Sequence, residues 1–422
     1  MTISTGTSQG LGLDPAILAG GAAATAILDS MRQVQDDPAD RLAAQIFEAP
    51  DAAVVAEQIR TLIQQRQFYT KDGQPSPQLP QAVQDYLRAT SALPPWADPR
   101  KIKTGEDLFI LYGLSSTIVL SCASLPECYV MRMGVRVLTD TGYLTTDTTR
   151  RVVETANMIM DVMSPGGLMP ASGSGKGILS AQKVRLMHAA IRYMVSHGRT
   201  RLQWDPVAWG QPICQEDLAY TLMTFSYVGV RSMKKLGIVL TPEQEDAYIH
   251  CWNVVGYIMG VLPGLLPANV AEAKLLFDTI KARQTGPNPG GQQLMVGLVD
   301  GLLVPVLSKI FPLGGKRIPP ILIRTLVGHE TADQLGVAPL NAAMKFEGAL
   351  IVGAWRRGAR RRYFLYKFWL TRRLALWLKV RLLRRIGGIH GEFAITLANA
   401  VWAYPAVAEV ADRSAAAEST AE

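Results

Sequence analysis

The chain contains a long helical stretch near its middle, Ser180-Ala-Gln-Lys-Val-Arg-Leu-Met-His-Ala-Ala-Ile-Arg-Tyr-Met-Val-Ser-His197. Ser180 is the predicted N-cap of this helix, and Gly198 is the glycine expected just beyond its last turn. His188 lies at the centre, with Arg185 and Arg192 about one turn to either side on the same face. Apolar residues at helical spacing surround it. The sequence therefore places one imidazole in an apolar wall between two guanidinium groups.

An imidazole in this setting suits a ligand that is flat, hydrophobic and anionic. Heme has these properties, because its iron binds a neutral imidazole and its propionates attract arginines. The spacing also allows a second interpretation, in which His188 is an ordinary core histidine. Other histidines have simpler explanations: His197 caps the end of its helix and His250 is a core residue. The sequence contains neither an HExxH motif nor a histidine–cysteine cluster, so it does not predict a zinc site.

Helical periodicity dominates the rest of the chain, and alternating strand patterns are scarce. Further helices are predicted over Arg41–Arg66 in two pieces split near Pro50, over Arg150–Val162, over Glu216–Leu236 and over Pro242–Val261. Thr241 is expected to cap the last of these helices. A glycine-rich loop, 164–177, precedes the His188 helix. The expected fold class is therefore all-α.

The helix predicted over Arg150–Val162 carries a polar group of its own. Arg151 and Thr155 are four residues apart and so lie on one face, with Glu154 beside them. The simplest role for Arg151 is a surface ion pair with Glu154 or with Asp147.

Length and composition set the class of protein. The chain has 422 residues, of which 48% are hydrophobic and 18% are charged, which excludes a disordered chain. Its four cysteines form no CxxC pair, which excludes a disulfide-stapled small fold and favours a reducing compartment.

The net charge of +8 is concentrated near the C-terminus. Twelve of the 43 basic residues lie between Trp355 and Arg385, where no acid occurs, and the remaining 31 are outnumbered by 35 acids. Segment 355–386 interleaves its cations with aromatic and leucine side chains, which suits a helix in a membrane interface facing anionic head groups. Its aliphatic content favours a membrane surface over nucleic acid. Docking of the segment onto the protein's own body stays open.

No export or membrane-spanning signal is recognised in the sequence. The first basic residue is Arg32, so the apolar stretch before it lacks the positive start of a signal peptide. Leu108–Pro126 is uncharged, but its small and polar residues favour a buried core helix. We expect a cytoplasmic protein that is peripheral on a membrane through segment 355–386.

An ordered series of short motifs runs from Leu93 to Arg283. It comprises Leu93-Pro-Pro-Trp-Ala-Asp98, Ser124-Leu-Pro-Glu-Cys-Tyr129, Val137-Leu-Thr-Asp-Thr-Gly-Tyr-Leu144, Arg151-x-x-x-Thr155, Arg185-x-x-His188-x-x-x-Arg192, Trp209-Gly-x-Pro212, Asp217-Leu218, and Gly237 before a Tyr248…Trp252-x-x-x-Gly256 helix. The series resembles the rubber oxygenase (latex-clearing protein) family. The same catalytic domain occurs in the membrane-bound fungal oxygenase of mycophenolic acid biosynthesis. The order of the motifs, more than any one of them, carries the resemblance.

The resemblance implies a globin-like helical core around heme b, and cleavage of an isoprenoid carbon–carbon double bond with O2. By position, His188 resembles the proximal iron ligand, flanked at the cofactor by Arg185 and Arg192. Arg151 and Thr155 resemble the polar pair on the distal side. Rubber-cleaving members can carry a lysine directly before this threonine, where the chain has Glu154.

Two functions stay open. The first is a heme b-dependent oxygenase that acts on a hydrophobic, lipid-like substrate, with Arg151, Glu154 and Thr155 as its catalytic group. Glu154 would abstract an allylic proton if burial raised its pKa toward neutrality, whereas a salt bridge to Arg151 would keep it inert. The second is a non-catalytic, membrane-associated heme-binding protein.

Three regions are expected along the chain. They are an N-terminal helical region, 1–92, a heme-binding oxygenase-like domain, 93–340, and a basic amphipathic C-terminal segment with a disordered tail, 341–422. The sequence predicts neither a nucleic-acid partner nor an oligomeric state.

Overall fold

The computed structural model describes residues 11–50, 70, 74–139, 148–169, 175–200, 202–310 and 315–366. Within these ranges almost all regular structure is helical, which confirms the all-α prediction. Two short strands, β1 (Gly12–Leu13) and β2 (Leu265–Leu266), pair antiparallel and attach the N-terminal end of the described chain to its middle. The helices are α1 (Pro15–Ala19), α2 (Gly21–Met31), α3 (Asp37–Phe47), α4 (Gln81–Thr90), α5 (Pro99–Leu111), α6 (Gly113–Val119), α7 (Leu125–Tyr129), α8 (Arg132–Thr139), α9 (Thr148–Val162), α10 (Lys176–Ser196), α11 (Pro206–Trp209), α12 (Gln215–Phe225), α13 (Tyr227–Lys235), α14 (Pro242–Ile258), α15 (Val270–Gln284), α16 (Pro289–Leu298), α17 (Val304–Ile310), α18 (Ile318–Val327), α19 (His329–Gln334) and α20 (Ala342–Tyr366).

Two π-helical turns interrupt these helices. Leu120–Ser124 joins α6 to α7, and Val299–Leu303 joins α16 to α17. The segment 108–126, expected to form one core helix, is divided near Tyr112, where α5 and the helix that follows it meet at an angle of 89°. Many of its apolar residues are nevertheless buried, among them Phe109 and Cys122. The segment therefore contributes to the core through the end of α5 and through the helical run of α6, the first π-helical turn and α7.

Among the described residues, one helix is long and apolar enough to cross a membrane, Pro289–Ser308. A second would be counted only if the bent pair Pro99–Leu111 and Ser115–Tyr129 were taken as one span.

Helix α10 lies at the junction of two hydrophobic cores. Its first turns, with Ile178 and Ala181, belong to the larger core, which also contains Leu28 from α2. Its second half, with Leu186 and Val195, packs in a smaller core together with α3 and α4. The N-terminal helices thus share both cores with the predicted central domain. The boundary expected near residue 93 stays a prediction.

The sequence predicts some helix caps and boundaries correctly and others wrongly. The structure confirms the cap at Thr241, which forms a reciprocal capping box with Gln244. It also confirms that Gly198 follows α10 with a positive φ of 62°. Ser180 is not an N-cap, because α10 begins at Lys176. The helix expected over Glu216–Leu236 is two helices that meet at Ser226.

Several predictions fall on residues that the structure does not describe. They concern the helical piece after Pro50, part of the glycine-rich loop, most of segment 355–386, and the C-terminal tail.

Candidate functional site

Helices α9 and α10 form a hairpin that is closed by direct contacts. The Ser180 hydroxyl donates to the Asp161 carboxylate at 2.5 Å. At Gly177 an added Cβ would lie 2.6 Å from Cα of Val162, so only glycine permits this approach. Thr155 lies six residues and His188 eight residues from the closing contact, or about 9 and 12 Å along their helices. The hairpin therefore places Thr155 and His188 at similar distances from its closed end.

Helix α9 carries the predicted distal group. Glu154 and Thr155 are both half-buried on this helix, in the half that leads away from the closed end. The backbone of Arg151 belongs to the same helix, whereas its side chain lies outside the described part of the chain. The catalytic roles of the three residues stay a prediction.

His188 presents an uncharged imidazole. Its Nδ1 is buried and has no hydrogen-bond partner, although the residue as a whole is only half-buried. The accessible surface of the residue therefore belongs to other atoms. Burial, followed by the positive charge of Arg192, lowers the pKa of His188 to about 3. The ring is thus neutral at ordinary pH, which is the form that ligates iron.

All three nitrogens of the Arg185 guanidinium group donate hydrogen bonds to other protein groups. Nε and Nη2 donate to the two carboxylate oxygens of Asp36, both at 2.7 Å. Nη1 donates to the backbone carbonyl of Ile258 at 3.1 Å. Since Asp36 directly precedes α3 and Ile258 ends α14, Arg185 connects three helices. Its predicted contact with a cofactor stays a prediction.

Arg192 differs from Arg185 in having donors that no protein atom accepts. Its Nε donates to Asp40 at 2.6 Å, and its Nη2 lies 3.8 Å from the Asp36 carboxylate. Nη1 and Nη2 have no hydrogen-bond partner, although the Arg192 side chain is only 2% exposed. Buried donors without acceptors are costly, so these two call for a hydrogen-bond acceptor that comes from outside the protein.

Asp36 and Asp40 are the functional neighbours that the sequence analysis missed. They lie one turn apart at the start of α3, whereas their arginines are 149 and 152 residues away in the chain. No local pattern connects residues at that separation. The only available signal was the presence of two acids on one face of an amphipathic helix.

Other acids in the quoted motifs, or directly beside them, connect helices. Glu127, fully buried in α7, accepts from Arg231 and Lys281, both at 2.7 Å. Glu216, next to Asp217 in α12, accepts from Arg283 at 3.0 Å and from Gln284 at 2.9 Å. The motif series therefore includes elements of the scaffold as well as the His188 region.

A metal bound only by side chains finds no site in the described residues, which contain no group of three or more histidines, cysteines or acids able to hold an ion. A metal that arrives with most of its ligands, as in heme, needs only one protein imidazole such as His188.

Comparisons with known proteins identify the family. The model of the family described as "ER-bound oxygenase mpaB/B'/Rubber oxygenase, catalytic domain" matches residues 110–386. The rubber oxygenase of Streptomyces sp. (strain K30) is 25% identical over 327 residues, which cover 72% of this chain and 71% of the relative. The solved structure of latex clearing protein LCP in the closed state superimposes with a TM-score of 0.65 at 23% identity, covering 85% of this chain and 91% of that one. The structural likeness shows a shared fold, and the family match confirms the resemblance seen in the motifs. The chain therefore belongs to the family of ER-bound oxygenases and rubber oxygenases, and it contains their catalytic domain.

Proposed function

We propose that the protein is a heme b-dependent oxygenase that uses O2 to cleave or oxidise a carbon–carbon double bond in an isoprenoid or other lipid-like substrate. The observation that carries the proposal is the pair formed by His188 and Arg192 on α10. A neutral imidazole and a buried guanidinium with two unpartnered donors lie one turn apart. These are the groups that a heme iron and a heme propionate require.

Arg185 and Arg192 have different roles in the proposed heme site. Arg192 offers Nη1 and Nη2 to a propionate, while Asp40 holds its Nε. Arg185, already bound to Asp36 and to the Ile258 carbonyl, holds α10 in place on the neighbouring helices. Heme b, when bound here, would supply the iron at which O2 reacts.

The distal helix would act on the substrate. Thr155 offers a hydroxyl for orienting polar atoms, and Glu154 offers a carboxylate that could take an allylic proton. Met158, Met160 and Met169, in α9 and just after it, pack against the large core as partly buried side chains. Such flexible apolar side chains suit an alkene chain and exclude water. The relative named rubber oxygenase supports an isoprenoid as the substrate class.

The proposal is tested with the full chain reconstituted with hemin. His188→Ala should abolish the Soret band, because it removes the proposed iron ligand, and it should leave the helical circular dichroism unchanged. His197→Ala is the matched control, since His197 lies exposed at the end of the same helix. A His188→Ala variant with the wild-type heme spectrum and occupancy would overturn the assignment.

A second measurement separates the two functions. Oxygen uptake with squalene as the isoprenoid probe is expected for the wild type and not for His188→Ala. Wild-type protein that holds heme but consumes no oxygen with squalene or shorter isoprenoid alkenes would favour the non-catalytic alternative. That alternative comes from the motif resemblance, which implies that rubber-cleaving members can carry a lysine where this chain has Glu154.

A further inference from the structure

Helix α20 is attached to the body of the protein along one face. Gly348 lies against Ile321 of α18, where an added Cβ would be 2.9 Å from a side-chain carbon. Trp355 donates from Nε1 to the Ser115 hydroxyl at 2.9 Å. Arg317 forms an ion pair with Glu347 at 2.8 Å. The start of the basic C-terminal segment is therefore held in a defined orientation.

The opposite face of α20 is apolar and exposed. Phe346 and Leu350, one turn apart, are 66% and 54% exposed. Arg357, two turns beyond Leu350 on the same face, is also exposed. We call these three residues the outer face of α20. Two adjacent large apolar side chains in water form an apolar patch that is free to contact a partner.

The positive charge of α20 and the segment after it indicates which kind of partner the outer face binds. The helix backbone continues to Tyr366 through five arginines, Arg356, Arg357, Arg360, Arg361 and Arg362. They belong to the run of twelve cations without an acid between Trp355 and Arg385. Such a run repels a second copy of itself and attracts an anionic surface. Exposed phenylalanine and leucine beside the cations fit a lipid bilayer better than nucleic acid, whose phosphates give apolar side chains nothing to bury against.

We propose that the outer face of α20 docks on an anionic lipid surface, with Phe346 and Leu350 entering the interface and Arg357 contacting lipid head groups. The docking is a property of this helix and does not depend on the chemistry proposed at His188. Under the proposed function, docking would bring the protein to the lipid bilayer, in which apolar alkene substrates dissolve.

The test is co-sedimentation of the full chain with vesicles of phosphatidylcholine alone, or with phosphatidylserine added at about 3 parts in 10. Wild type should bind the anionic vesicles, and added salt should weaken the binding without abolishing it. The double variant Phe346→Ser, Leu350→Ser should lose roughly tenfold or more in partitioning at high salt, because two anchoring side chains are removed. Arg357→Ser should lose roughly fivefold at low salt only.

Val239→Ser is the matched control, because Val239 is 86% exposed and lies outside the outer face. It should bind like the wild type, and circular dichroism should show that every variant is folded. Equal vesicle binding by the double variant and the wild type would overturn the proposal. So would binding to a DNA duplex in the absence of vesicle binding, or a wild-type dimer that is lost in the double variant while vesicles are not bound.

Discussion

Glu154 directly precedes Thr155 on α9, and it is half-buried. If this carboxylate takes the allylic proton, Glu154→Gln removes the base but keeps the size of the side chain. Turnover of an isoprenoid alkene should then fall by about 10²-fold or more, the usual contribution of a general base. The heme spectrum should not change. Oxygen uptake under single-turnover conditions measures the effect.

Asp161→Asn is the matched control on the same helix. Asp161 accepts the Ser180 hydroxyl, and an asparagine oxygen can still accept it, so turnover should stay near the wild-type value. Near-normal turnover of Glu154→Gln would instead show that Glu154 is a structural ion-pair partner.

At the level of elements, α3 is attached to the His188 helix by the ion pairs of Asp36 and Asp40. Asp36 is 3% exposed and accepts both of its bonds from Arg185. Asp36→Asn leaves a buried guanidinium without its countercharge, so the free energy of unfolding should fall by about 3 kcal/mol. Urea unfolding of the apoprotein measures this, and the rate of hemin transfer to apomyoglobin should rise because α10 is less well held.

Asp85→Asn provides the comparison for an exposed pair. Asp85 and Arg88 lie 3.1 Å apart on α4 with side chains 62% and 46% exposed. Loss of such a pair should cost less than about 1 kcal/mol. If the two variants lost equal stability, the connection between α3 and α10 would contribute no more than a surface contact.

Across the whole molecule, two histidines should make stability depend on pH. Burial is the main cause that lowers the pKa of His188 to about 3 and of His250 to about 4, from 6.5 in an unfolded chain. Below pH 6.5 the unfolded state therefore binds more protons than the folded state. The free energy of unfolding should fall by up to about 1.4 kcal/mol per pH unit for each histidine as the pH decreases. Glu106, whose pKa burial raises, contributes a slope of opposite sign.

Urea unfolding of the apoprotein at about pH 7 and about pH 5.5 tests this dependence. The His250 ring accepts from the Asp98 backbone amide at 2.9 Å, and a glutamine oxygen can replace that acceptor. His250→Gln should therefore show a shallower pH slope, by about 1 kcal/mol per unit. A slope in His250→Gln that is identical to the wild-type slope would contradict the assignment of the pH dependence to His250.

The amino-acid sequence alone was enough to predict the all-α fold, the family, the cap at Thr241 and the glycine that follows α10 at Gly198. Each rests on a short-range signal, such as helical spacing or a capping residue, or on the order of motifs along the chain. The partners of Arg185 and Arg192 required the folded chain, because Asp36 and Asp40 are about 150 residues away and meet them only when α3 packs on α10. The true start of α10 at Lys176 has a similar reason, since Gly177 packs directly on Val162 and the Ser180 hydroxyl donates to Asp161 across the hairpin. Helix signals act within a turn or two, whereas ion pairs and helix contacts depend on which surfaces the tertiary packing brings together.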